Sequence, residues 1–142
     1  MKLTEPRTPE DFEKYFELRW RILRQPWGQA RGSEQDAEEK ISYHIMAIEN
    51  NRAVGVARLQ FPTPATAQLR YMAVDTIMQG KGFGRQIVKH MENYAREHSA
   101  TELFLHAREN ATAFYKKLGY RHIEDSYLLF GTIQHYKMSK QL

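Results

Sequence analysis

The stretch that most restricts the fold is "RYMAVDTIMQGKGFGRQIV", residues 70 to 88, where glycines stand at alternate positions 80, 82 and 84. They separate a strand-like run, Gln68 to Val74, from a run with helical spacing, Gly84 to Ser99. A strand entering a helix through such a loop presents bare backbone amides at a positive helix end, a geometry that receives phosphate oxygens. Gly80, Gly82 and Gly84 have no Cβ, so a bulky anion can touch the main chain, and Lys81 and Arg85 add charge. A Walker loop needs Lys and then Ser or Thr after its last glycine, which "GKGFGR" does not supply. The dinucleotide fingerprint wants G-x-G-x-x-G early in a βαβ unit, whereas here G-x-G-x-G follows several strands of antiparallel character. Taken alone, a glycine-rich turn serves equally as a tight connection.

The rest of the chain supplies the frame. Residues 1–7 suit a short strand. Thr8 as N-cap, Pro9 at the first helical position and Asp11 three residues after the cap open a helix. Phe12, Tyr15, Phe16, Arg19, Ile22 and Leu23 mark one face of it. "QPWGQARGSEQDAEEK" reads as a polar loop with a helical turn near Glu34 to Lys40, and its charges as a solvated face. Two strands surround Asn50-Asn51, a hairpin signal, and a third runs from Gln68 to Val74. Ile87, Val88, Met91, Tyr94 and Ala95 give the next helix its apolar face. "ELFLHA" is a buried strand, Asn110 to Leu118 a helix capped by Asn110 and stopped by Gly119, and "YRHIED" and "LLFGTIQHYKMSK" close with strands. This order predicts an α+β fold, an α/β sandwich around a mixed sheet, in one domain over residues 1–142.

Composition excludes more than it identifies. The chain has no cysteine, which removes disulfides, thiol nucleophiles and thiolate metal sites and fits a reducing compartment. The six histidines show no metal-ligand spacing, so no metal is expected. No apolar run approaches the ~20 residues of a membrane span, and the first residues lack the apolar core of a signal peptide. A net charge of +4 favours anionic ligands, but the basic residues are scattered and do not interleave with aromatic ones, so nucleic acid is not implied.

A second stretch, "HARENATAFYKKLGY", decides between the readings of the glycines. Together the two resemble the GNAT superfamily of N-acetyltransferases. The family's first motif stands here as Gln79-Gly80-Lys81-Gly82-Phe83-Gly84 after a strand ending "MAVD", and its second as Asn110, Ala113, Phe114, Tyr115, Lys117, Gly119 and Tyr120. The resemblance is strong from Gln68 to about Tyr120. It implies an acyl-CoA N-acyltransferase fold whose central mixed sheet splays between the "MAV" and "ELFLHA" strands and is flanked by helices.

The resemblance implies acetyl-CoA as the cosubstrate. Its pantetheine arm would lie along Met72, Ala73 and Val74, and its diphosphate on the amides of Gln79 to Gly84, with Arg85 adjacent. Asn110, Ala113 and Phe114 would flank the arm, and Lys117 would reach the nucleotide phosphates. The Met72 N–H would hold the oxyanion and Tyr115 would protonate the departing thiolate. Some members carry a glutamate base on the central strand, where this chain has Arg70. His44 and His135 are the candidates that remain, and the tail "GTIQHYKM" resembles a "G-I-P-H" ending of one bacterial branch, which favours His135. Arg58 and Arg70 near the cleft would suit an acceptor bearing a carboxylate.

Each motif residue also has an ordinary reading: Asn110 as N-cap, Gly119 as helix stop, Phe114 and Tyr115 as packing residues; outside the motifs, Trp20 and Trp27 read as packing residues too. The expectation is a cytoplasmic N-acetyltransferase, monomer or homodimer, that moves acetyl directly to a small-molecule or peptide amine in a ternary complex, without nucleic-acid or membrane partner. The alternative is a non-catalytic acyl-CoA-binding or interaction module on the same scaffold.

Overall fold

A computed structural model describes all of residues 1–142. The N-terminal strand β1 (Lys2–Thr4) leads into helix α1 (Pro9–Leu23). The capping box is formed as expected: Asp11 N–H donates to Thr8 Oγ1 at 3.0 Å and Thr8 N–H to Asp11 Oδ2 at 3.2 Å. Strands β2 (Tyr43–Glu49) and β3 (Arg52–Thr63) meet at Asn50 and Asn51, whose φ of 50° and 60° is the left-handed pair a tight hairpin requires. Then follow β4 (Thr66–Val74), α2 (Phe83–Glu97), β5 (Glu102–Arg108), α3 (Thr112–Lys117), β6 (Arg121–Leu129) and β7 (Ile133–Gln141).

All seven strands form one sheet in the order β1-β2-β3-β4-β5-β7-β6. Every neighbouring pair is antiparallel except β4 and β5, which run parallel with α2 as their crossover. Helix α1 covers one face, packing Tyr15 and Leu18 on Met46, Val56 and Ala73. The opposite face carries the larger core, with Ile87, Val88, Met91 and Ala95 of α2 against Ile45, Ala57, Leu59, Leu69, Leu103 and Leu105. No helix is long and apolar enough to cross a membrane.

Two expectations are corrected. Asn110 is not a helix cap: it lies in a single 3-10 turn, Glu109–Ala111, and α3 starts after Ala111 without a side-chain cap. Nor is the acidic loop a solvated face, because Glu34 is 1% exposed and Asp36 and Glu39 turn inward onto two fully buried arginines. Arg58 donates from Nη1 to Asp36 Oδ1 (2.7 Å) and Glu39 Oε2 (2.8 Å), and from Nη2 to Asp36 Oδ2 (3.0 Å) and Gln60 Oε1 (2.6 Å). Arg19 Nη1 reaches the same Glu39 oxygen at 2.9 Å. Once α1 and β3 bury two guanidinium groups, the loop between them must bring carboxylates inward, since a buried unpaired charge is far costlier than a paired one. The Arg58 guanidinium holds the Asp36 carboxyl well below the usual carboxylate range.

Candidate active site

The parallel pair is what opens the sheet. β4 and β5 are hydrogen-bonded neighbours only from Thr66↔Glu102 to Leu69↔Leu105, and beyond those residues they separate. The divergence begins at a bulge: between the pairs Arg58↔Arg70 and Val56↔Ala73, two β4 residues, Tyr71 and Met72, face the single Ala57. Tyr71 has φ 51°, a conformation disfavoured for a residue with a Cβ, and its ring stacks beneath the guanidinium groups of Arg19, Arg58 and Arg70.

Past the bulge, main-chain direction alternates along the strand. Asp75 N–H donates to Val54 O on β3 at 2.8 Å, so Ala73 faces β3 as well, while Met72 and Val74 turn their polar groups into the gap. The Val74 carbonyl there accepts from Gln79 Nε2 at 3.2 Å. Ala73, expected among the cofactor contacts, packs its side chain under α1 and offers the gap nothing.

The glycine loop closes the lower end of this edge. Gly82 is the N-cap of α2 at φ 85° and no side chain caps the helix. The first N–H with a main-chain acceptor is that of Gln86, on Gly82 O at 3.2 Å, so the six amides from Gly80 to Arg85 have no acceptor within the protein. The Phe83 ring enters the core, and Lys81 and Arg85 stay exposed. Gly84 packs tightly against side chains of β4 and α3: a Cβ there would stand 3.2 Å from both Met72 Cε and Phe114 Cζ. Beside the loop, Arg85, Lys89 and Lys117 border a depression of about 370 Å³, whose fourth cation, Lys140, is tied to Glu92 at 3.1 Å.

A cavity of about 280 Å³ occupies the gap itself. Tyr115 enters it from α3, with its hydroxyl 3.6 Å from Met72 Sδ and no other protein partner. Burial pushes the Tyr115 hydroxyl pKa up, so it keeps its proton. Asn110 is exposed and its side-chain amide is unpaired, and Ala113 lies on the exposed side of α3.

Of the two candidate histidines, only His135 reaches the cavity. His44 lies under α1 with both ring nitrogens engaged, Nδ1 2.7 Å from Tyr15 OH and Nε2 2.7 Å from Glu39 O. His135 donates from Nδ1 to Ile133 O at 3.0 Å and stacks on Tyr127, which leaves Nε2 as an unpartnered acceptor. Burial lowers its pKa below 6.5, keeping the ring neutral. No cluster of three or more His, Asp and Glu side chains is placed to hold a metal ion.

The acetyltransferase (GNAT) family model matches residues 12–120. The chain belongs to this family. A Bacillus subtilis (strain 168) protein whose name gives its acetyltransferase activity as provisional is 30% identical over 135 residues, covering 93% of this chain and 90% of that one. The uncharacterized N-acetyltransferase YjcF of the same organism is 27% identical across 99% of both chains. Among solved structures, Escherichia coli ElaA superposes with a TM-score of 0.83 at 16% identity, over 99% of each chain. An aminoglycoside 6'-N-acetyltransferase complexed with coenzyme A superposes at 0.82 and 16% identity, over 99% of this chain and 97% of that one. The splayed mixed sheet is therefore that of the GNAT fold.

Within this GNAT cleft the structure adds Arg24, Tyr71, His106, Arg108 and Tyr127, which the motifs did not indicate. Period-two alternation was the available signal for two of them. With Leu105 and Ala107 in the core, His106 and Arg108 had to point to the other face.

Proposed function

We propose that the chain transfers an acetyl group from acetyl-CoA to a primary amine of a small molecule or peptide, directly, within a ternary complex. The observation that carries this reading is the alignment of a β4 edge that β5 no longer pairs, at Met72 and Val74, with six acceptor-free amides, Gly80 to Arg85. A pantetheine arm carries amides that can pair with such an edge, and its diphosphate needs such a cradle. Asn110 and Phe114 flank the arm on the α3 side, while Arg85, Lys89 and Lys117 supply charge for the nucleotide's phosphates.

Acetyl-CoA supplies its acyl carbon as a thioester: the N–C bond forms as C–S breaks, and sulfur keeps the electron pair. The Met72 N–H, freed by the bulge, is the donor for the carbonyl oxygen as charge gathers there. Tyr115, its proton held only by a thioether, is the general acid. His135 accepts the proton of the incoming ammonium at Nε2, and its lowered pKa keeps that lone pair available at neutral pH. With no cysteine in the chain, no thiol can carry the acyl group between donor and acceptor.

The test joins calorimetry of CoA binding to a screen of amino acids, polyamines, amino sugars and peptide N-termini, read by release of the CoA thiol. Binding with turnover of at least one class supports the reading. Absence of CoA binding refutes it, and tight binding without turnover of any amine leaves a binding module instead.

A further inference from the structure

The cavity has two chemically different walls. Leu69, Met72, Leu105, Ala107 and Tyr115 form an apolar wall continuous with the α2-side core. The α1-side wall is basic: Arg24, Arg70 and Arg108 line it, with His106 and His135, and no aspartate or glutamate lines the cavity at all. Arg24 Nη1 and Arg108 Nη2 converge on one acceptor, the carbonyl of Leu23 at the end of α1, at 3.2 and 3.0 Å. A helix C-terminus offers these cations a partial negative charge, less than one carboxylate would.

Arg24 Nε also donates to Ser33 O at 3.1 Å and its guanidinium lies 5.7 and 5.5 Å from the Tyr71 and Phe130 rings, but neither arginine is paired with a carboxylate. Asp36, a carboxylate that contacts a cavity arginine, is 3.4 Å from Arg70 but is gripped at 2.7 and 3.0 Å by the buried Arg58, and it also accepts from Tyr71 OH at 3.2 Å. Arg108 Nε and Nη1 and Arg24 Nη2 have no protein acceptor, and His106 Nδ1 is buried without a partner. Burial, and then the neighbouring Arg24, lower the Arg108 pKa.

We propose that the acetyl acceptor is an amine that also bears a carboxylate, and that Arg108 and Arg24 hold that carboxylate. The proposal rests on the acetyltransferase reading and narrows it to one substrate class. Guanidinium forks match the planar carboxylate, two N–H groups to two oxygens. The same charges disfavour a bare diamine, whose second ammonium would face arginines with no acid to offset them. They also lower the pKa of the reacting ammonium and so ease its proton toward His135.

Turnover is compared for lysine against cadaverine and phenylalanine against phenethylamine, with aminoethyl phosphate as the phosphate-bearing alternative. The carboxylate member is expected to lead by tenfold or more in kcat/KM. Arg108→Gln should erase that lead through KM, with CoA affinity unchanged and Arg108→Lys recovering part of it. If Arg108→Gln does not fold, Arg24→Gln serves. Where no amine turns over, N-acetylphenylalanine and N-acetylphenethylamine are titrated into CoA-loaded protein, and the carboxylate product must bind tenfold tighter. Equal values within the pairs, or preference for a polyamine or the phosphate, overturn the carboxylate site and leave the transferase standing. Failure of CoA itself to bind removes the transferase reading instead.

Discussion

Tyr115→Phe separates a general acid from a packing residue, and the structure sets the expected size of each effect. The ring lies edge-on to Phe114 and Tyr120 at 4.9 and 5.7 Å, contacts that phenylalanine keeps. The deleted hydroxyl has one protein partner, a thioether at 3.6 Å. A neutral hydrogen bond contributes about 1 kcal/mol net, and one to a sulfur acceptor at this distance less. At roughly 2 cal/mol/K of unfolding entropy per residue, the Tm should therefore move by no more than about 3 °C. Catalysis should respond more strongly. General acids contribute about 100- to 10,000-fold, but a thiolate leaves fairly well unaided, so kcat should fall about 10- to 100-fold, or about 1.4 to 2.7 kcal/mol. CoA affinity should stay within a few-fold, because the lost interaction belongs to the transition state. The measurement is kcat by thiol release and CoA affinity by calorimetry on one preparation, with a pre-steady-state burst sought to show which step limits. Unchanged kcat with no burst would remove Tyr115 from the chemistry, and weakened affinity at constant kcat would make it a binding residue.

Arg58→Met leaves Asp36 and Glu39 facing a buried apolar group, so a loss of about 3–5 kcal/mol and a Tm lower by about 10 °C or more are expected in thermal unfolding. Gly82→Val places a β-branched residue at φ 85°, a strain of about 1–2 kcal/mol or more. CoA binding should be lost by calorimetry in a protein that still folds, and retained affinity would show that the loop's amides do not hold the phosphates. His44, His90, His106 and His135 all have pKa values lowered from 6.5 by burial. Below pH 6.5 the unfolded chain takes up these protons first, so stability is full above that pH and falls beneath it. Tm measured between pH 7.5 and 5.5 checks this, and a rise on acidification would contradict it.

The sequence made the frame legible because local rules and burial agreed along most of it. Thr8, Pro9 and Asp11 form the helix start they spell, Asn50-Asn51 turns the hairpin, and the apolar face of α2 meets the sheet. Where reading failed, the deciding interaction joined residues distant in the chain. Asp36 and Glu39 looked solvated because nothing near them in sequence says that Arg58 and Arg19, nineteen to twenty-two positions away, lie buried beneath. Asn110 had the composition of a cap, but a 3-10 turn follows β5 and frees its side chain. The bulge at Tyr71 was equally invisible, since nothing in "LRYMAV" marks a positive φ on a tyrosine. Yet that one extra residue lets Arg70 and Tyr71 share a face, turns Met72 into the gap and starts the separation of β4 from β5. The motifs thus indicate where a cofactor's phosphates would rest, while the basic wall proposed for the acceptor depends on sheet geometry. Arg24, His106 and Arg108 come from the end of a helix and a parallel strand, and only the splayed pair brings them to one cavity. On the proposed reading, acceptor preference would be set by residues that neither motif contains.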